Sequence, residues 1–439
     1  MLIRKINRQL KNWKQSPRRK PLILQGIRQV GKTYSLKEFG ESEYADCAYF
    51  NFDENKSLQA LFARDKNPER LLHALSVLHG KKIVPENTLV IFDEIQECND
   101  ALNSLKYFCE KAPEYHIVCA GSLLGVTLSQ PGSFPVGKVD FLTMHPLSFR
   151  EYIESAGESM LGEYLDQIIA AEEIPLAIFE KITDLRQNYL LCGGMPEAVG
   201  CWLVSKDVEE TEKVLAAILL AYERDFSKHA PAEIVPRIQR VWNSIPEQLA
   251  KENGKFVFGM VKEGARAREY ETALEWIVSA GLAHKVERID LPQFPLNAYA
   301  NSRFFKLHLP DVGLLRRKTG VTARMLLEGS PMFSLFTGPL TENFVLQQLI
   351  AQDIVPYYWT SGNTAEVDFI FQYQELILPL EVKAAENVRS KSLQVYRDKY
   401  SPIVALRTSQ RNLVLNGGVL NIPLGLIGCL PNLLKKYLN

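Results

Sequence analysis

Apolar and polar residues recur along the 439-residue chain in two different periods, and the switches between them predict its elements. Leu2, Ile3, Ile6, Leu10 and Trp13 fall at helical spacing. Leu22-Ile23-Leu24 is a short continuous apolar run with the form of a buried parallel strand, and it breaks at Gly26. Ala48–Phe52 reads as a second strand. Asn67-Pro68 has the form of an N-cap and first helical position, with the helix running to Leu78. Thr88–Phe92 and Ile117–Ala120 are further apolar runs, separated by a helical stretch from Ile95 to Cys109. Phe149–His229 is helix-rich, with Leu165, Ile168, Ile169 and Leu215, Ile218, Leu219 in pattern. From Ile234 to Arg288 the spacing predicts a small helical module: a helix–turn over Val257–Ala267, a helix over Tyr270–Ala280, then a strand. Pro292, Pro295 and the Asn297–Asn301 stretch mark a boundary. Beyond it come a helix start at Gly338–Val345, strands at Tyr357–Trp359, Glu366–Phe371 and Leu378–Lys383, and a helix over Ser392–Tyr400.

The break after the first strand carries chemistry. Gly26-Ile27-Arg28-Gln29-Val30-Gly31-Lys32-Thr33 fits G-x4-G-K-[ST] at every fixed position, and Tyr34 opens a helix. Strand, glycine loop and helix are the context of a phosphate-binding loop. Gly26 and Gly31 let the backbone turn tightly and present its N–H groups to phosphate oxygens. The helix N-terminus adds partial positive charge at the same place. Lys32 supplies a point charge for the β- and γ-phosphates, and Thr33 a hydroxyl for Mg²⁺. The Thr88–Phe92 run ends in Asp93-Glu94, the form of a Walker B strand. There Asp93 serves the Mg²⁺ ion, and Glu94 orients or activates the attacking water. The strand Ile117–Ala120 ends in Gly121-Ser122, which makes Ser122 a candidate sensor of the γ-phosphate.

A second constellation lies near the C-terminus. Asp368 on one predicted strand and Glu381-x-Lys383 on the next form the pattern of PD-(D/E)xK nucleases. Strand alternation puts Glu381 and Lys383 on one face. Asp368 and Glu381 are expected to hold Mg²⁺, with Glu342 as a further ligand from the helix and Lys383 positioning water. The spacing alone is weak, because Glu54-Asn55-Lys56 also reads E-x-K.

Composition narrows the picture. At 439 residues the chain exceeds a single core. Lys+Arg and Asp+Glu are both 51, which excludes a protein that coats nucleic acid by bulk charge and leaves a local basic face open. The seven cysteines and seven histidines show neither C-x-x-C pairs nor a metal-spaced cluster. The basic N-terminus lacks an apolar core of the secretory type, and no apolar run approaches the roughly 20 residues of a membrane helix. The expected location is the cytoplasm, without membrane contact.

Taken together, GIRQVGKT, NFD at Asn51–Asp53, IFDEIQ at Ile91–Gln96, AGSLLG at Ala120–Gly125, HPLSFREY at His145–Tyr152 and GGMPEAV at Gly193–Val199 resemble a family of bacterial and archaeal AAA+ ATPases. Its members pair the ATPase with a C-terminal domain of unknown function similar to restriction-endonuclease folds. The resemblance spans almost the whole chain. It implies an α/β protein with an AAA+ nucleotide-binding domain at 1–148, a helical lid at 149–232, a winged-helix-like module at 233–300 and a PD-(D/E)xK-like domain at 301–439. Gly194-Met195-Pro196 resembles a lid motif that packs Pro196 near the adenine. Arg224 is a candidate trans or sensor arginine, and Arg266 and Arg268 are candidate phosphate contacts. The family pattern has Gly-Arg before the Pro-Leu-Ser-Phe segment, whereas this chain has Gly137-Lys138. Lys and Arg are not equivalent as phosphate clamps, so Lys138 receives no finger role. The expected ligands are ATP or ADP with Mg²⁺. Nucleic acid, DNA before RNA, and a second copy of the chain are the candidate partners. The alternative is a regulatory ATP-binding switch whose C-terminal domain is inactive and contacts proteins.

Overall fold

The computed structural model describes residues 2–122, 135–251, 254–327, 334–362, 365–384 and 391–437. Leu123–Gly125 of the AGSLLG motif lie outside them. The chain divides into two units. One is Arg4–His145 with Ser279–Gly281; the other is Pro146–Val278 and Leu282–Asn439 with the first N-terminal residues.

In the first unit the apolar runs become parallel strands: β1 (Leu22–Gln25), β2 (Asp46–Asn51), β3 (Thr88–Asp93), β4 (His116–Gly121) and β5 (Asp140–Thr143). Their order is β2-β3-β4-β1-β5. Every residue of β3 and β4 is buried, which is why these strands read as unbroken apolar runs rather than alternating ones. Phe50, Phe52, Phe62, Phe92 and Phe108 form the aromatic part of the core, largely edge to face. The first helix, Lys5–Gln15, buries Ile6, Leu10 and Trp13, the face its spacing predicts. Asn67 caps the helix Pro68–His79, its side chain accepting from the N–H groups of Glu69 and Arg70. Parallel strands all point one way, so the segments leaving β1, β3 and β4 emerge at one edge of the sheet. That edge is where ligands of open α/β sheets sit.

The second unit differs from the modular expectation. Its helices include Phe149–Ser155, Leu176–Cys192, Val208–His229 and Val235–Leu249. Its strands are β6 (His284–Ile289), β7 (Ala300–His308), β8 (Pro356–Thr360), β9 (Glu366–Tyr373), β10 (Leu376–Val382), β11 (Ala405–Ser409), β12 (Val414–Asn416) and β13 (Val419–Pro423). All eight belong to one sheet, ordered β12-β13-β11-β10-β9-β8-β6-β7. The boundary expected near residue 300 falls between β6 and β7, which pair antiparallel. Ile289 and Leu296 share a core with Trp359, Tyr396 and Ala405. The strand expected to form a free wing is therefore an inner strand of the large sheet, flanked by β7 and β8. The expected lid is likewise not separate. Phe149 and Tyr189 pack edge to face on Phe344 of the helix Ser334–Ile350, with ring centroids 6.0 and 5.8 Å apart. Three expected modules thus share buried surface and belong to one unit.

Candidate functional site

The glycine loop has the backbone its residue types foretell. Gly26 has φ 151° and Gly31 φ 96°, conformations that side chains disfavour. A Cβ on Gly26 would lie 2.2 Å from the Met144 carbonyl oxygen, so the loop closes only because none is there. Gly31 sits at the N-cap of the helix Lys32–Glu43, which has no side-chain cap and no acidic residue in its first turn. Its first N–H groups are therefore left for an anion.

Lys32 is 6 % exposed, and its ammonium donates to the carbonyl oxygens of Gly26 at 2.8 Å and Ile27 at 3.0 Å. Burial pushes its pKa down to about 8, against the opposing pull of Glu94 and Asp93. Thr33 Oγ1 donates to Asp93 Oδ2 at 2.9 Å, joining the loop to the end of β3 across 60 residues of sequence. Hydroxyl and carboxylate together are a hard-oxygen pair of the kind Mg²⁺ takes, so Thr33 and Asp93 fit that ion. The donor-rich loop fits the phosphates of a nucleotide. Glu94 follows in a left-handed conformation, φ 49°, which brings its N–H to Asp93 Oδ1 at 3.1 Å. Ser122 follows directly on β4, the strand between β1 and β3. Ile27 and Val30 are buried beneath the loop, Gln29 is exposed with φ 62°, and Tyr34 is 59 % exposed. Arg28 is half-buried.

Two partners of this site escape a reading by motif. Tyr49, in the middle of β2, donates to the same Asp93 Oδ2 at 2.7 Å, while the Lys37 ammonium lies 3.7 Å from its ring centroid. The Gln96 amide donates to the Glu94 carboxylate. Strand pairing puts Tyr49 beside Ile91, two residues before Asp93, a proximity that only register reveals. Lys138, given no finger role, pairs with Glu110 at 2.8 Å.

In the other unit Pro196 is the first residue of the helix Pro196–Ser205. The two glycines before it are fixed by a residue the motifs did not flag. Asp311 is fully buried and accepts from the N–H groups of Gly194 at 2.5 Å and Leu314 at 2.9 Å, and from the Gln347 amide at 3.1 Å. A Cβ on Gly193 would lie 2.2 Å from Asp311 Oδ1. Arg224, Arg266 and Arg268 are exposed.

The C-terminal constellation also assembles. Leu380 pairs with Phe369, so the next step of the same register sets Glu381 opposite Asp368. Asp368 Oδ2 accepts from the Val382 N–H at 2.7 Å. Lys383 Nζ lies 2.6 Å from Glu381 Oε1, and Glu381 is 4 % exposed. Burial, then Glu381 and Glu342, holds Asp368 far above the usual carboxylate range, which brings all three acids into one electrostatic neighbourhood. Burial alone would depress Lys383, but Glu381, Asp368 and Glu342 outweigh it and raise it. The expected metal arrangement is not seen. Among the described residues no three His, Cys, Asp or Glu side chains are disposed to hold an ion. The missed residues are Lys306 and Glu366. Lys306 Nζ lies 2.8 Å from Glu366 Oε1 and 3.5 Å from Glu342 Oε2.

The first unit therefore has the fold and loop of a P-loop nucleotide-binding domain. Residues 18–153 match a family model described as an AAA domain. Residues 183–324 and 337–430 match two domains of unknown function, DUF8612 and DUF4143. The first unit is thus similar to AAA domains, and its loop is of the nucleotide-binding kind. Uncharacterised proteins of Mycobacterium bovis and Mycobacterium tuberculosis are each 24 % identical over 401 residues, covering 90 % of this chain and 76 % of theirs. A Walker-type ATPase of Pyrococcus abyssi superposes with TM-score 0.46 at 14 % identity, over 72 % of this chain and 96 % of that one. Among the described residues no helix is long and apolar enough to cross a membrane.

Proposed function

We propose that the chain hydrolyses ATP with Mg²⁺ and uses the nucleotide state of its AAA domain to control a C-terminal nuclease-like domain that binds nucleic acid. The observation that carries the hydrolysis reading is the hydrogen bond from Thr33 to Asp93, with Glu94 next in the chain. It joins the elements that would hold metal and phosphate, and the acid next to them in the chain, Glu94, supports a role in acting on water. The loop N–H groups and Lys32 bind and orient the phosphates. Thr33 and Asp93 hold the metal, which supplies charge neutralisation when bound. Glu94 accepts the proton of the attacking water, and Ser122 senses the terminal phosphate. Pro196 is assigned to adenine packing.

The C-terminal reading is supported by element order. The helix Ser334–Ile350 precedes β8, β9 and β10, successive antiparallel neighbours; the helix Lys391–Tyr400 follows, then β11 parallel to β10. Asp368 on β9, Glu381 on β10 and Lys383 just after it support the reading by their PD-(D/E)xK-like pattern. The alternative, an ATP switch whose inactive C-terminal domain contacts proteins, draws support from the same site, because its carboxylates are already engaged by lysines. ATP turnover by the wild-type chain and by Lys32→Ala tests the hydrolysis reading. Loss of turnover in a folded Lys32→Ala protein is expected; unchanged turnover would remove it.

A further inference from the structure

A divalent ion in the C-terminal site would need carboxylates free to receive it. Four acids meet there: Glu342, Glu366, Asp368 and Glu381. Lys306 comes to them from β7, three strands away from β9 in the order of the sheet. It is 2 % exposed, and its Nζ contacts Glu366 at 2.8 Å and Glu342 at 3.5 Å, with the Tyr358 ring centroid at 5.5 Å. Lys255 adds a longer contact to Glu366, at 3.8 Å. A buried ammonium is tolerated only where opposite charge compensates it. Here Glu366 and Glu342 supply that compensation at contact distance. On the other side Lys383 holds Glu381 at 2.6 Å.

We infer that Lys306 is the built-in cation of this site and keeps it from taking a divalent ion. Its ammonium lies against Glu366 and Glu342, and a metal drawing on Glu342 would have to compete with it. The site is then a lysine-neutralised carboxylate cluster rather than a metal centre, which separates this chain from the metal dependence implied by the PD-(D/E)xK pattern. The inference rests on the convergence of these side chains and not on ATP hydrolysis, so the two stand or fall separately.

Mn²⁺ titration of the nucleotide-free full-length chain, followed by electron paramagnetic resonance of the free ion, tests it. The wild type is expected to show no Mn²⁺ site that depends on Asp368, judged against Asp368→Asn. Lys306→Met keeps the length of the side chain and removes its charge. It is expected to gain one site, more than about tenfold tighter than any Asp368-dependent binding by the wild type, because removing a unit charge at contact distance exceeds that factor. The gain should vanish in Lys306→Met/Asp368→Asn. Should Lys306→Met fail to fold with Glu366 left unpaired, Lys306→Met/Glu366→Gln restores the balance, and it is expected to take up Mn²⁺ through Glu342, Asp368 and Glu381. An Asp368-dependent site in the wild type would overturn the inference, as would a folded Lys306 variant that gains none.

Discussion

Lys32 concentrates the residue-scale argument. Its ammonium is buried against the loop's own carbonyls, and burial lowers its pKa to about 8. Below that pH the side chain is charged and suited to phosphate; above it the empty loop holds a neutral amine. ATP affinity should therefore be flat below pH 8 and fall above it, to roughly a tenth at pH 9 of its pH 7 value by proton linkage. Isothermal titration with ATP across this range measures it, and a flat profile to pH 9.5 would refute the assignment. The Glu94 carboxylate accepts from Gln96, and the role proposed for it is tested separately. Glu94→Gln should retain ATP and slow turnover about a hundredfold or more, the usual loss for a missing general base. Single-turnover hydrolysis by that variant at the wild-type rate would assign the role elsewhere. Lys32, Thr33 and Asp93 were legible in the sequence, since fixed chemistry demands fixed residue types at short spacing. Tyr49 was not, because one tyrosine on a strand looks like any other until register sets it beside the acid.

Among elements, the turn carrying Gly193 and Gly194 is fixed by a buried acid. Asp311 satisfies the Gly194 and Leu314 N–H groups and the Gln347 amide where water does not reach. Asp311→Ala would leave these donors unpaired, at about 1–3 kcal/mol for a buried orphan. A loss of about 3 kcal/mol or more in urea unfolding is expected; a change below about 1 kcal/mol would mean that the network is solvated. Gly194, with Met195 and Pro196, resembled a lid motif in the sequence. The reason for the two glycines is spatial: a side chain at Gly193 would overlap Asp311. The strand His284–Ile289 gives the opposite lesson. Its local pattern and the helix before it suggested a small independent module, yet a strand's own sequence does not name its neighbours. Pairing with β7 and β8 made it an inner strand of the large sheet.

For the whole molecule the proposed ATP turnover has a consequence that can be measured. If the C-terminal domain engages a phosphate backbone, DNA should stimulate turnover, and stimulation should fade as salt rises, with a log–log slope of about −0.9 per phosphate contact. RNA and protein-only controls separate the partner classes. Stimulation by neither nucleic acid would favour the switch that contacts proteins. A net charge of zero makes this a question about local faces, since bulk attraction is absent.

The sequence by itself determined the parallel α/β character of the first unit, its glycine loop, the acids at the end of β3 and the strands bearing Asp368 and Glu381. These depend on local propensity, apolar runs and residues within a few positions of each other, all of which the chain states directly. Tertiary structure alone decided that three expected modules share buried surface, that Asp311 fixes the glycine turn, and that Lys306 sits among the carboxylates. Each of these depends on which strands pair and how a long sheet brings distant side chains together. Lys306 is 60 residues or more from Glu366 and Asp368 in the chain, yet its Nζ lies 2.8 Å from Glu366 Oε1. Charge at that range governs whether a metal can bind, and no spacing along the sequence encodes it.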